Sequence, residues 1–394
     1  MKGPIREYLR DKAIEGSHEG SGTFGLDVEK ALAKLEKFRM AERGDYLVKL
    51  LQAAVSSQAQ AFELQLGVRY VDVSFKLAPE HLHHLEKLPM ALLGRAQYPN
   101  RSLHHLGVGL QAALSVAKYV ELRVNDTVLL TLGGRASTAG NLPELKPGRR
   151  ARVTIAIRRK NMLAGLQQRF GEYGSFVKRT RYCPIPVSVD GFELRRGWER
   201  SSRPSFFYLA EAYLSPPQPL PPLAFPASNS QRFNSIPGGW SRWNRADWGN
   251  PLDCPSFFRK ASAPVVRGSI CCKAALVVSS RLGRYSELVF VLDGASTIPQ
   301  SKAWGFPGLQ LVLSGEGLET DLTELQILEN DEYWRRVGSL EEELREVARA
   351  IQNNSGELRS FLRRSLETSI VRYSLSEGSL PRPEVIRVQN HGSE

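Results

Sequence analysis

The feature that most constrains this chain is the order in which two hydrophobic periods follow one another. Helical spacing comes first. Leu26, Ala31, Leu35 and Phe38 recur at roughly helical spacing along 26–38, and apolar residues track a second helix predicted over 45–64, with Asp45 as its N-cap and Gly67 as its stop. Strict alternation then takes over in VRYVDVSFKL (68–77), as half-buried strands require. Pro79 opens a short helix. The stretch HHLGVGLQAALSVAKYVELRV (104–124) is predicted as a Gly-Val-Gly turn, a helix over 110–118 and a strand. TVLLTLGG and PGRRARVTIAIRR (147–159) add strands, 161–180 reads as a helix interrupted by glycines, and CPIPVSVDGFEL reads as two strands about an Asp-Gly turn. Helices and strands in this order call for a sheet covered by helices, an α/β (α+β) fold.

At 394 residues the chain is too long for one core. Five segments are expected: a leader (1–25) rich in Gly and Ser towards its end, a first α/β domain (26–160), a second α/β domain (161–330), a helical hairpin (331–375) and a tail (376–394). Within the second domain, 201–260 carries a Pro-rich run and a Trp/Arg loop, after which strands resume at ICCKAALVVSS, ELVFVLDG and LQLVLSG. In the hairpin, Ser339 and Glu342 suggest a capping box, Leu340, Leu344, Val347 and Ile351 form one stripe, and Leu358, Leu362, Leu366 and Ile370 form another. The N-terminal residues carry charge throughout, unlike a signal peptide, and no apolar run reaches membrane-spanning length. A cytoplasmic protein is expected.

The order of elements, with LGVGLQAALSVAKYVELRV, PGRRARVTIAIRR and RFGEYGSFVKRTRYCPIPVSVDG, resembles the GHKL ATPases, and among them the ninety-kilodalton heat-shock chaperones. The resemblance covers roughly 26–190 and implies a two-layer ATPase sandwich leading into a second domain. It also implies where nucleotide chemistry would sit. On the helix matched by YLVKLLQAAVSS, the water-activating glutamate falls at Lys49, the magnesium-holding asparagine at Ala53, and an aspartate one turn on at Ser56. A lysine is no general base at neutral pH, and an alanine side chain offers no oxygen to magnesium. The family's Asp-x-Gly-x-Gly is also missing, because Asp72 lies mid-strand with no glycine between Gly67 and Gly94. What persists is a glycine turn, with Gly107, Val108, Gly109 and Leu110 as candidate phosphate-binding residues helped by Arg101, His104 and His105. The plainer reading of those glycines is close packing.

Other candidates are weaker. His81 and His84, at i and i+3, could share a metal, but no cysteine or carboxylate motif completes a set, so no metal site is expected. Cys271-Cys272 reads as the start of a strand rather than a redox pair. Trp240, Arg242, Trp243, Arg245 and Trp248 form the candidate partner-binding segment, since indole and guanidinium planes stack well. The net charge of +12 suits acidic partners, nucleic acid among them. No catalytic residue and no cofactor are expected, although residual ATP or anion binding stays open. The sequence therefore suggests a chaperone-like protein that binds a protein partner without hydrolysing ATP, with dimerisation through the C-terminal helices left open. A divergent ATPase and a basic nucleic-acid-binding protein are the alternatives.

Overall fold

The computed structural model describes residues 44–88, 92, 100–133, 138–140, 142–143, 148–160, 162–198, 208–216, 219–226, 240–242, 258–261, 265–266, 269–279, 286–304, 306, 308–321 and 323–353. The fold is mixed α and β. A first unit opens with α1 (Asp45–Ser56), β1 (Phe62–Leu66), β2 (Tyr70–Leu77) and α2 (Pro79–Leu82), followed by a 3-10 turn. It continues with α3 (Arg101–Leu114), β3 (Ala117–Val124), β4 (Thr127–Gly133), β5 (Thr138–Ala139), β6 (Ala151–Arg159) and α4 (Met162–Arg179), and closes with β7 (Val187–Val189) and β8 (Phe192–Glu193). Its eight-stranded sheet has the order β5-β4-β3-β6-β2-β1-β7-β8. β7 pairs parallel to β1 through Phe62 and Val187, so this unit runs to Glu193 and takes in α4, beyond the boundary expected at 160.

Alternation decides which face of that sheet is covered. Phe62, Leu64 and Leu66 of β1, Val71, Val73 and Phe75 of β2, and Val153, Ile155 and Ile157 of β6 pack into one core with α1 and α3. Glu63, Asp72, Glu121, Arg123, Arg152 and Arg158 line the other face, around an open depression of about 380 Å³. α4 is pinned from inside. The Arg159 guanidinium donates to both oxygens of Glu172, at 3.1 and 2.5 Å, and the Tyr46 hydroxyl donates to Glu172 at 2.9 Å. One buried carboxylate thereby ties α1, β6 and α4 together.

Four expectations fail here. α1 stops at Ser56 rather than running to 64, because Gln58 takes a positive φ and the alternating Phe-Glu-Leu-Gln-Leu becomes β1. Asp45 is the first helical residue, and Gly44 holds the cap position. No turn occurs at Gly107-Val108-Gly109: α3 begins at Arg101, capped by Asn100, whose side chain accepts from the Leu103 amide, and runs through both glycines. Similarly, α4 is continuous through Gly165, Gly171 and Gly174.

The second unit comprises β9 (Tyr208–Leu214), β10 (Leu223–Pro226), β11 (Trp240–Arg242), β12 (Phe258–Ala261), β13 (Val265–Val266), β14 (Ser269–Cys272) and β15 (Ala274–Ser279). β16 (Ser286–Leu292), β17 (Ala295–Ser296), β18 (Gln300–Lys302), β19 (Leu309–Ser314), α5 (Asp331–Gly338) and α6 (Glu341–Asn353) complete it. Its main sheet has the order β11-β12-β9-β15-β19-β16-β17, and β18 pairs with β16. Leu340, Leu344, Val347 and Ile351 of the α5–α6 region are buried against this sheet together with Tyr333 and Val337. The two helices thus belong to the second unit's core. The capping box does not form, since Ser339 ends α5 and its hydroxyl donates to the Arg336 carbonyl. The second stripe, 358–370, lies outside the described residues.

Candidate functional site

The two units meet along α1 and α3, on the surface where the resemblance would look for a nucleotide. Two tight features of the second unit press on these helices. One is the turn between β16 and β17, where Asp293 (φ 46°) and Gly294 (φ 82°) both take left-handed conformations. A Cβ on Gly294 would stand 2.6 Å from Val55, so glycine permits both the turn and the approach to α1. The other is the loop after β19, in which Asp321 accepts from the amides of Leu325 and Gln326 and Glu324 is held at φ 55°.

These features deliver carboxylates to basic side chains. Lys49, fully buried on α1, donates to Glu324 at 2.8 Å. His104 of α3 meets the other oxygen of Glu324 at 2.6 Å, so one carboxylate grips both helices. His105 Nε2 lies 2.9 Å from Asp293, which fixes the proton on Nε2 when the ring is neutral. Arg101 reaches Glu316 at 3.1 Å and Asp293 at 3.8 Å. Gln52 donates to the Leu292 carbonyl at 3.0 Å. Further along the seam, Arg179 of α4 donates to the carbonyls of Ser296 and Leu325, and Ala295 and Leu325 complete the first unit's apolar core.

Burial pulls the Lys49 ammonium below its ordinary range, against the opposing pull of Glu324. Burial likewise lowers the His105 imidazole, with Asp293 opposing. For the acids the balance is reversed. Burial would raise Glu324, but hydrogen bonds from His104 and Lys49 outweigh it and hold the carboxyl at about 2. Asp293 is also held below the usual carboxylate range, because His105 and Arg101 outweigh its burial. Both carboxylates are therefore ionised at neutral pH, and the seam is a charge-paired clasp.

The sequence-predicted residues take different roles from those expected. Lys49 faces the second unit. Ala53 is buried, and its carbonyl accepts from the Ser102 hydroxyl at 2.9 Å. Ser56 lies at the end of the same helix. Gly107, Val108, Gly109 and Leu110 lie inside α3, so their amides do not form the helix-start cradle that was expected. Gly109 instead allows α3 to approach α1, where an added Cβ would stand 2.8 Å from Leu50. Arg101, His104 and His105 are occupied by carboxylates rather than facing a phosphate site. His81 and His84 line a void of only about 10 Å³ with Ala53, Phe75, Asn100 and Ser102, near the lower limit for one water. Asp72 is paired with Arg158 at 2.7 Å on the outer face. Among the described residues no group of three or more His, Cys, Asp or Glu is placed to hold a metal. Cys272 is buried and Cys271 exposed at the end of β14. Trp240 and Arg242 fall on β11, while Trp243, Arg245 and Trp248 lie outside the described residues.

Sequence reasoning missed Asp293, Glu316 and Glu324. The Asp-Gly pair after the apolar run of β16 signalled a turn at 293, but nothing local to Glu324 points to a partner on α1.

No family model and no curated protein matches this chain. Among the described residues, no helix is long and apolar enough to cross a membrane.

Proposed function

We propose that this protein is a non-catalytic relative of the GHKL chaperone-type ATPases, acting through a protein partner as a scaffold, adaptor or regulatory subunit. The observation that carries the reading is the small hollow that the described residues leave between α1, α3 and the first sheet. About 10 Å³ remains beside Ala53, His81 and Ser102, whereas ligand pockets occupy roughly 300–1,000 Å³. The residues present do not fit ATP and magnesium. Lys49 is committed to Glu324, the Ala53 carbonyl is taken by Ser102, and the amides at 107–110 lie within a helix. On this reading, the face that would bind nucleotide in an ATPase is used to join two units rigidly, and recognition falls to the outer surfaces.

Calorimetric titration with ATP, with and without magnesium, tests this directly. The expected result is no heat at millimolar nucleotide and no phosphate release. Saturable micromolar binding, or hydrolysis lost on substitution of Lys49, would overturn the proposal in favour of a divergent ATPase. Salt-sensitive binding of a nucleic-acid duplex, without protein capture, would favour the nucleic-acid alternative.

A further inference from the structure

Helix α4 presents an apolar stripe outward. Leu166, Phe170 and Tyr173 are 50, 72 and 46% exposed, at i, i+4 and i+7. Its inner face is committed: Glu172, Phe176 and Arg179 are buried. Large apolar groups repeated along one outward helix face make a candidate contact surface. Beside the stripe, a Cβ added to Gly174 would meet nothing within 4 Å, so no packing among the described residues calls for a glycine in mid-helix. A small residue at this position leaves room for a second helix to approach closely.

The start of the described chain identifies the occupant. Gly44 lies against this helix, and a Cβ placed on it would stand 3.1 Å from both the Glu172 carbonyl oxygen and the Ser175 Cβ. The chain therefore reaches α1 alongside the same turn that carries Tyr173. Immediately upstream is LDVEKALAKLEKF, whose Ala31, Leu35 and Phe38 share one predicted helix face. From Phe38 to Gly44 the chain reaches about 20 Å when extended, while Leu166 to Tyr173 spans about 10 Å of helix. The C-terminal residues are a poorer candidate, because the described chain ends in α6, which packs on the second unit's core. We propose that residues 26–38 dock as an amphipathic helix on the Leu166–Phe170–Tyr173 stripe, so that the chain covers its own exposed face.

Trypsin digestion of the full-length chain tests this at Lys30, Lys34 and Lys37. Phe170→Asp with Tyr173→Asp changes exposed positions only and should leave the far-ultraviolet circular dichroism unchanged. Cleavage at these lysines should accelerate about tenfold, as expected when the docked population falls. The reciprocal pair Leu35→Asp with Phe38→Asp should do the same, and the four changes together should add nothing further. Leu328→Asp, in the second unit, should have no effect. Equal cleavage rates in the native chain and the α4 variant would overturn the proposal. A second readout separates docking within the chain from docking between copies. With Cys254 and Cys271 replaced by serine, Leu35→Cys with Phe170→Cys should oxidise to a monomeric, reductant-sensitive product. A cross-linked dimer as the sole product would assign the stripe to a second copy and overturn the proposal.

Discussion

The seam between the units and the outer face of the first sheet use the same vocabulary of lysine, arginine, aspartate and glutamate, yet to very different effect. On the outer face, Arg158 pairs with Asp72 and Arg123 with Glu121, each pair partly in water. Water screens such pairs and holds their ions nearly as well alone, so each contributes little. At the seam, Lys49 has no access to water at all, and Glu324 is its hydrogen-bonded counter-ion, with Asp293 and Asp321 adding weaker attraction. Breaking such a pair exposes the full cost of a buried ion, although the intact pair adds only modest net stability. Burial, rather than the number of ion pairs, decides which of these contacts holds the molecule together.

The largest test of that contrast is Glu324→Ala. It strands the Lys49 ammonium, and urea denaturation should show a loss of about 3–5 kcal/mol. Lys49→Met combined with Glu324→Leu should recover most of it, which separates the cost of a lone charge from the net worth of the pair. Next comes Gly294→Ala. It places a side chain at φ 82° and against Val55, and should lose about 2–3 kcal/mol in the same measurement, with loosening of the seam.

Acid should act on the seam more gradually. Glu324 has a folded pKa near 2, below its ordinary 4.5, so its stabilisation is complete above that value and disappears as pH falls from 4.5 towards 2. Asp293 follows in the same direction. His105, lowered from 6.5 by burial, adds a loss that begins as pH drops below 6.5, where the unfolded chain takes up its proton first. Thermal unfolding across this range should show stability decreasing monotonically towards acid, with the component below 4.5 reduced in the Glu324→Ala variant. The smallest effect belongs to the outer face: Asp72→Asn should shift stability by about 0–1 kcal/mol, and less at high salt.

Much of the fold was legible because local periodicity carries it. The alternation in β2 and β6 and the Asp190-Gly191 turn between β7 and β8 all form where the pattern places them. Misreadings came where two local signals competed. Gly107-Val108-Gly109 resembles a turn, but Asn100 caps the helix upstream, and Leu103, Leu106 and Leu110 continue one buried face through the glycines. Likewise, the alternation from Phe62 to Leu66 was absorbed into a helix that ends at Ser56. The site was legible only in half. Lys49 and Ala53 stood out because they do not suit the role a resemblance assigns them, but what Lys49 does depends on a glutamate far along the chain, which no local pattern encodes.

That separation has a consequence for how the molecule is made. Lys49 and Glu324 are 275 positions apart. At bacterial-to-eukaryotic synthesis speeds the glutamate emerges roughly 15–55 s after the lysine. Throughout that interval α1 lacks the partner that neutralises its buried cation, and the first core lacks Ala295 and Leu325. The nascent first unit therefore lacks these contacts until Glu324 and Leu325 have left the ribosome.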